Sequence, residues 1–189
     1  MSAAAAHPGV SHPSPWIRRW SHLVPATATV LDVACGSGRH VRWFASRGAR
    51  VTGVDRDAGA VEGLREIAEI LVADIESGPW PFEGRRFDAV VVTHYLWRPL
   101  LPRIVEAVAP GGVLLYETFA TGQETVGRPS NPHFLLRPGE LLDAVRGELR
   151  VVAYEDGFLD EPARYVQRVA AVRERAAACA PRYPLEPLP

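Results

Sequence analysis

The chain of 189 residues contains no lysine: its 21 basic residues other than histidine are all arginine. Against 22 acidic residues this leaves a formal net charge of −1. That speaks against a strong non-specific binder of nucleic acid, which draws its affinity from a basic excess. The exclusive use of arginine, beside the alanine and proline content, reads first as genome composition. Selection for bidentate anion contacts is the alternative. Only two cysteines are present, Cys35 and Cys179. They suit a reducing compartment and make neither a disulfide nor a metal-ligand pattern. No apolar run approaches the ~20 residues of a membrane span. The opening stretch MSAAAAHPGVSHPSP lacks a basic start and a long apolar core, so it does not read as a secretory signal, and a cytoplasmic setting is expected. No internal repeat is visible. What is present is a globular composition, 47% apolar and 23% charged, at a length that buries the core of one domain.

Residues 1–13 read as a disordered tail and residues 178–189 as a Pro-rich one, leaving a domain at 14–177. Within it, residues 14–24 (SPWIRRWSHLV) predict a short helix with Trp16, Ile17 and Trp20 on one side. Strand and helix patterns then alternate. TVLDVA is a buried strand, and GRHVRWFASRG a helix closed by Gly48. ARVTGVD is a second strand, and DAGAVEGLREIA a second helix with Asp57 as its N-cap. EILVAD is a short third strand. SGPWPFEGRR is too broken by Pro and Gly for a long helix. FDAVVVTHY is a fourth strand, RPLLPRIVEAVAP a helix, and GGVLLYETF a fifth strand. Alternation at this spacing predicts a parallel sheet with helices on both faces. The end differs: ELLDAVRG is a short helix, and ELRVVAYEDG with RYVQRVAAVRE predicts an antiparallel pair closing the sheet edge.

The first strand runs into VLDVACGSGRH, residues 30–40. In an open parallel sheet, ligands sit outside the carboxyl ends of the strands, at the point where strand order reverses. The dinucleotide fingerprint there is Gly-x-Gly-x-x-Gly, whose third glycine lets helix and strand pack closely around a pyrophosphate. Here Gly36 and Gly38 are followed by Val41, which weakens that reading. Three carboxylates weaken it further: Asp32 inside the first strand, Asp55 ending the second, Asp74 ending the third. All converge on one rim. Asp55 can accept both hydroxyls of a ribose, Asp74 the exocyclic amine of an adenine, and Asp32 faces a cationic end. So much negative charge repels a phosphate ligand. It does not repel a zwitterionic nucleoside bearing an ammonium and a sulfonium, and S-adenosylmethionine is the expected cofactor.

Together, VLDVACGSGRH, VTGVD, VADIE, FDAVVVTHYL and VAPGGVLLYET resemble the class I S-adenosylmethionine-dependent methyltransferases, over about residues 28–173. The resemblance implies a Rossmann-like α/β three-layer sandwich whose seven-stranded, mostly parallel sheet has an antiparallel last strand. It implies that backbone groups from Ala34 through Cys35 and Gly36 to Gly38 hold the methionine end. It further implies that Asp55, with Arg56 beside it, holds the ribose, that Asp74 and the Ile75 amide hold the adenine, and that Thr93 meets the amino-acid portion. S-adenosylhomocysteine would be the product. FLLRPGEL followed by LRVVAYEDG resembles the tellurite-resistance (TehB-like) branch, which methylates small oxyanions. Arg98, Arg128 and Arg137 near the rim would suit an anion.

On the acceptor side the candidate catalytic residues are Tyr95, aimed at the transferring methyl; Arg98, binding an anionic substrate; and Glu117, as base or hydrogen-bonding group. Each has a structural alternative: a packed aromatic, a surface charge, a partner for an arginine. Residues 116–141 form a long connection whose Phe119, Phe134, Arg128 and Asn131 suggest a lid, with a packed Ω-loop as the alternative. His94 and His133 lack metal-ligand company, and no metal is expected. The leading expectation is a methyltransferase acting on a small molecule, an oxyanion or a thiol, as a monomer or homodimer without membrane or strong nucleic-acid partners. RNA or protein methylation, a non-catalytic cofactor-binding regulator and, least of all, a nicotinamide oxidoreductase remain the other readings. The place of a [DNS]PP[YFW] run is taken by THYL, against adenine methylation.

Overall fold

The computed structural model describes residues 12–176 and 181–186. Short runs rich in β-branched residues build the sheet: β1 (Thr29–Val33), β2 (Arg50–Asp55), β3 (Glu69–Val72), β4 (Phe87–Thr93) and β5 (Val108–Phe119). A hairpin of β6 (Arg150–Asp160) and β7 (Ala163–Val172) closes the far edge. The order is β3-β2-β1-β4-β5-β7-β6. β7 runs antiparallel to both its neighbours, and the other pairings are parallel. The expected architecture is therefore present.

Alternation along the strands divides the interior into two cores. Leu31, Val33, Val90, Val92, Leu114 and Tyr116 pack under α4 (Leu101–Glu106) and α5 (Glu140–Val145). On the other face Val30, Val91, Leu115 and Ala170 pack under α1 (Pro15–Trp20) and α2 (Arg39–Ala45). Trp16, Ile17 and Trp20 are the buried residues of α1, as their spacing predicts.

The second predicted helix is much shorter than residues 57–68. Asp57 does cap it, accepting from the Ala60 N–H at 3.1 Å. The helix itself, α3 (Ala58–Val61), passes at once into a 3₁₀ turn at Glu62–Leu64. Gly59 and Gly63 each cost about 1 kcal/mol relative to alanine in a helix, so little favours its extension. The helix-free connection before β4 is held by aromatic packing instead. Trp80 meets Phe82 edge-on at 5.1 Å, and Phe82 meets Phe87 at 5.7 Å. Most of the two predicted tails, residues 1–11, 177–180 and 187–189, lies outside the described residues. Within the C-terminal one, Tyr183 packs against the α1-side core, with the Arg150 guanidinium 5.6 Å from its ring centroid. Among the described residues no helix is long and apolar enough to cross a membrane.

Candidate cofactor and acceptor site

β1 and β4 lie side by side in the middle of the sheet, and this is where the connections diverge to opposite sides. The backbone is strained there. The two non-glycine residues with positive φ among the described residues, Ala34 (53°) and His94 (55°), directly follow β1 and β4. Such conformations cost about 1–3 kcal/mol each and persist where the surroundings impose them. The glycines complete the turn for different reasons. Gly36 has φ of 52°, and a Cβ there would meet nothing within 4 Å. Gly38 has φ of 77°, and a Cβ there would collide with the buried Leu64 side chain. Gly36 thus leaves open space at the crevice, while Gly38 lets α2 approach its neighbours.

Asp55 is oriented by the loop it faces. Its Oδ2 accepts the Gly36 N–H at 2.7 Å, and its Oδ1 accepts the Asp57 N–H at 2.9 Å. Each oxygen keeps a lone pair for another donor. Asp74 organises the next turn: Oδ1 accepts the N–H groups of Glu76 and Ser77, and Oδ2 accepts the Ser77 hydroxyl at 2.6 Å. These bonds, the hydroxyl first, hold its carboxyl below the usual aspartate range. The Ile75 N–H between them has no partner among the described residues. Asp55, Arg56, Asp74, Ile75 and Tyr95 line a cavity of about 140 Å³ together with Ala34, Ala73 and Glu76.

Asp32 is buried beneath the loop, 1% exposed, and one of its carboxylate oxygens has no hydrogen-bond partner. Burial pushes its carboxyl up to about 8; Asp55 adds to the shift and Arg39 opposes it. The Cys35 side chain points away from the crevice into the α2-side core, so only its backbone faces the loop.

The β4–β5–β7 side of the rim is a polar cluster covered by α1. Thr93, Glu117, Arg168 and Glu155 stand in one cross-strand row from β4 to β6. The Ser14 hydroxyl, which also caps α1, donates to Glu117 Oε1 at 2.8 Å. Arg168 donates to Glu117 Oε2 at 3.3 Å and, through Nε, to Glu155 at 2.7 Å. Its guanidinium lies 4.9 Å from the Trp16 ring centroid. The Ser14 N–H donates to His40 Nε2 at 3.1 Å, so the neutral ring carries its proton on Nδ1, 3.4 Å from Thr93 Oγ1. Burial, with help from Arg39 and His94, lowers the His40 pKa to about 3, which keeps it in that neutral form.

The geometry gives each of the three candidate catalytic residues a defined setting. Tyr95 lies in the wall of the cavity beside Asp74 and Ile75. Its hydroxyl is buried without a hydrogen-bond partner, and burial, then Glu76, raises its pKa. Arg98 is consumed as a tether: it donates twice to Glu140, at 2.6 and 2.9 Å, and to the carbonyls of His133 and Leu135 at 2.7 and 2.8 Å. Glu117 is 1% exposed with both oxygens engaged, the arginine-partner alternative. Of the arginines suggested for an anion, Arg137 also pairs with Glu140, and Arg128 is exposed. Burial raises the Glu140 pKa, but the bonds from Arg98 and Arg137 outweigh it and bring it down to about 2. The cluster instead contains Arg39, His40 and Arg164, which the sequence reading missed. Arg39 and His40 follow the glycine loop directly, a usable signal. Arg164 had none: it pairs with Leu159 of β6, two residues beyond the last β5–β7 pair. Among the described residues no group of His, Cys, Asp and Glu is arranged to hold a metal.

Residues 30–112 match the methyltransferase domain family. Over 110 residues the chain is 37% identical to trans-aconitate 2-methyltransferase of Paracidovorax citrulli, covering 52% of this chain and 42% of that relative. Over 102 residues it is 33% identical to malonyl-[acyl-carrier protein] O-methyltransferase of Serratia marcescens, covering 49% and 39%. The chain therefore spans less than half the length of these curated relatives. In fold it is similar to TehB from Haemophilus influenzae, with a TM-score of 0.65 and 22% identity over 82% of this chain and 60% of that one. On the sequence match and the sheet order together, residues 30–112 carry the methyltransferase domain, and the chain is similar in fold to S-adenosylmethionine-dependent methyltransferases.

Proposed function

We propose that the chain transfers a methyl group from S-adenosylmethionine to a small-molecule acceptor and releases S-adenosylhomocysteine. The observation that carries this reading is the buried, unpartnered carboxylate oxygen of Asp32 beneath the glycine loop. A pyrophosphate beside Asp32, Asp55 and Asp74 would be repelled, whereas an ammonium supplies the charge that Asp32 lacks. The other groups fit the rest of the molecule. Asp55 has lone pairs for the ribose hydroxyls. Asp74 and the free Ile75 N–H offer an acceptor and a donor for adenine, with Arg56 and Tyr95 as the flanking walls. Backbone groups from Ala34 to Gly38, together with Thr93, serve the amino-acid portion.

When bound, the cofactor supplies a methyl group on a positively charged sulfur: the bond to the acceptor forms as the carbon–sulfur bond breaks, its electron pair passing to sulfur. The chain's own contribution is orientation and exclusion of water, by the imposed turns at Ala34 and His94 and by α1 lying over the rim. The acceptors in the names of the two curated relatives, trans-aconitate and a malonyl thioester, support a small or carrier-borne acceptor.

The test is calorimetric titration with S-adenosylmethionine, followed by transfer of labelled methyl to an extract divided into small molecules, RNA and protein. Binding and label in the small-molecule fraction are expected. Asp55→Ala should weaken binding by about 1–3 kcal/mol, the scale of a lost hydrogen-bonding group. Label in RNA or protein would overturn the small-molecule acceptor. Cofactor binding without transfer to any fraction would leave a non-catalytic binder.

A further inference from the structure

Two half-buried arginines near the rim, Arg39 and Arg164, form no ion pair among the described residues. Arg39, the first residue of α2, donates to the Thr93 hydroxyl at 3.3 Å. Arg164 belongs to β7, where it is two residues from Val166 and four from Arg168. It therefore projects on the same face as Arg168 and as their partners Phe119 and Glu117 on β5. The Arg164 Nε is buried with no hydrogen-bond partner. Among the described residues no carboxylate lies within ion-pair distance of either guanidinium, whereas neighbouring Arg168 has two, Glu117 and Glu155. Beside them His94 stacks on Phe119, ring centroids 4.9 Å apart. Burial, then Arg39, lowers the His94 pKa; Glu117 opposes this and Arg164 adds to it. The Arg39 pKa is lowered as well, by burial first and by Arg164, against the pull of Glu117 and Asp32.

A half-buried guanidinium with no ion-pair partner is costly unless an anion compensates it. We infer that Arg39 and Arg164 hold a carboxylate of the acceptor, so that the substrate class is a small carboxylic acid. This rests on the methyl-transfer reading and deepens it.

A second argument is chemical. A hydroxyl or amine acceptor can require a base, and Glu117, the buried carboxylate nearest this role, is already engaged by Ser14 and Arg168. A carboxylate oxygen has no proton to lose. Its lone pair forms the oxygen–carbon bond, the carbon–sulfur pair goes to sulfur, and a neutral methyl ester leaves with no proton moved. The carboxylate could instead come from the amino-acid end of the cofactor. For Arg164, position argues for the acceptor: β7 stands three strands from β1, roughly 14 Å across the sheet, while Arg39 adjoins the glycine loop.

The experiment measures three quantities on the full chain. They are the affinity for S-adenosylmethionine, the affinity for malonate, succinate and trans-aconitate without cofactor, and methyl transfer to these acids, to tellurite and to a thiol. Ester formation with at least one acid is expected. Arg164→Gln should raise its Kd and KM about ten- to a hundredfold, the loss of a charge-assisted contact, and leave the cofactor Kd within about twofold, whereas Arg39→Gln, beside the glycine loop and Thr93, should weaken both. Should Arg164→Gln fold poorly, Arg164→Lys keeps the charge without the fork and should show a smaller rise in the same quantities. Transfer to tellurite or thiol with no acid bound or methylated overturns this inference and leaves methyl transfer standing. Equal weakening of cofactor and acid by Arg164→Gln also overturns it and assigns Arg164 to the cofactor's own carboxylate. A wild-type chain that binds no S-adenosylmethionine removes the methyl-transfer reading itself.

Discussion

Asp32→Asn should make the ligand-free protein more stable while spoiling its cofactor site. In the folded chain the Asp32 carboxyl is pushed up to about 8, by burial above all, from an ordinary value of 3.8. Between these two pH values the folded state keeps a proton that the unfolded state releases. Stability therefore falls as pH rises through the window, by at most about 1.4 kcal/mol per unit. At pH 7, some three units above the ordinary value, the ceiling is about 4 kcal/mol. Asparagine never ionises, so it escapes this loss. Its amide does bring donors to a place where one carboxylate oxygen already lacks a partner. An unmet donor costs about 1–3 kcal/mol, so the net gain expected at pH 7 is about 1–3 kcal/mol.

The amide cost does not depend on pH, and other titrating groups are common to both proteins. The quantity to measure is thus the stability gap between variant and wild type, by urea unfolding at pH 4.5, 6, 7 and 8. Fluorescence of the buried Trp16 and Trp20 reports the transition. The gap should widen by about 2–4 kcal/mol from the lowest to the highest pH. A gap that stays flat refutes the burial of an un-ionised Asp32. S-adenosylmethionine should reverse the ranking, stabilising the wild type more than the variant.

Arg98→Ala should strip the carbonyls of His133 and Leu135 of their donor and leave Glu140 with Arg137 alone, at a cost of about 2–3 kcal/mol. Hydrogen exchange should accelerate in residues 131–140 first, and unchanged protection there would show that Arg98 is not the tether. Glu117→Gln should lower stability by about 1–3 kcal/mol through its contacts to Ser14 and Arg168 while kcat stays within a few-fold. A hundredfold fall in kcat at unchanged melting temperature would restore Glu117 as a base.

The β1–β2–β3 half of the rim was readable because its carboxylates stand at strand ends. Once VLDVACGSGRH, VTGVD and VADIE are recognised as successive strand termini, Asp32, Asp55 and Asp74 must share an edge. The turn of the terminal hairpin was equally local, and so was the buried side of α1. The acceptor half was not readable, for a topological reason. Arg98 and Glu140 lie 42 residues apart, and Ser14 and Glu117 lie 103 apart. Whether an arginine near a rim is free or consumed depends on such distant partners. Arg98 looked free in sequence and is spent, whereas Arg164 looked like one more residue of an edge hairpin and has a buried Nε without a partner. The second helix failed for a local reason that composition did contain, the glycines at 59 and 63.

The row Thr93–Glu117–Arg168–Glu155 gives the outermost strand a say in what happens at the centre. Glu155 is half-buried at the sheet edge, and it shares one guanidinium with a carboxylate that is sealed beneath α1. Neutralising it would leave Arg168 to Glu117 alone and shift the balance of charge that Arg39 and Arg164 present to an incoming molecule. If Arg39 and Arg164 hold the acceptor as proposed, substitution of Glu155 would change acceptor preference from outside the site. For an engineer this separates two tasks usually entangled in small enzymes: retuning what is recognised, and leaving undisturbed the packing that makes recognition possible.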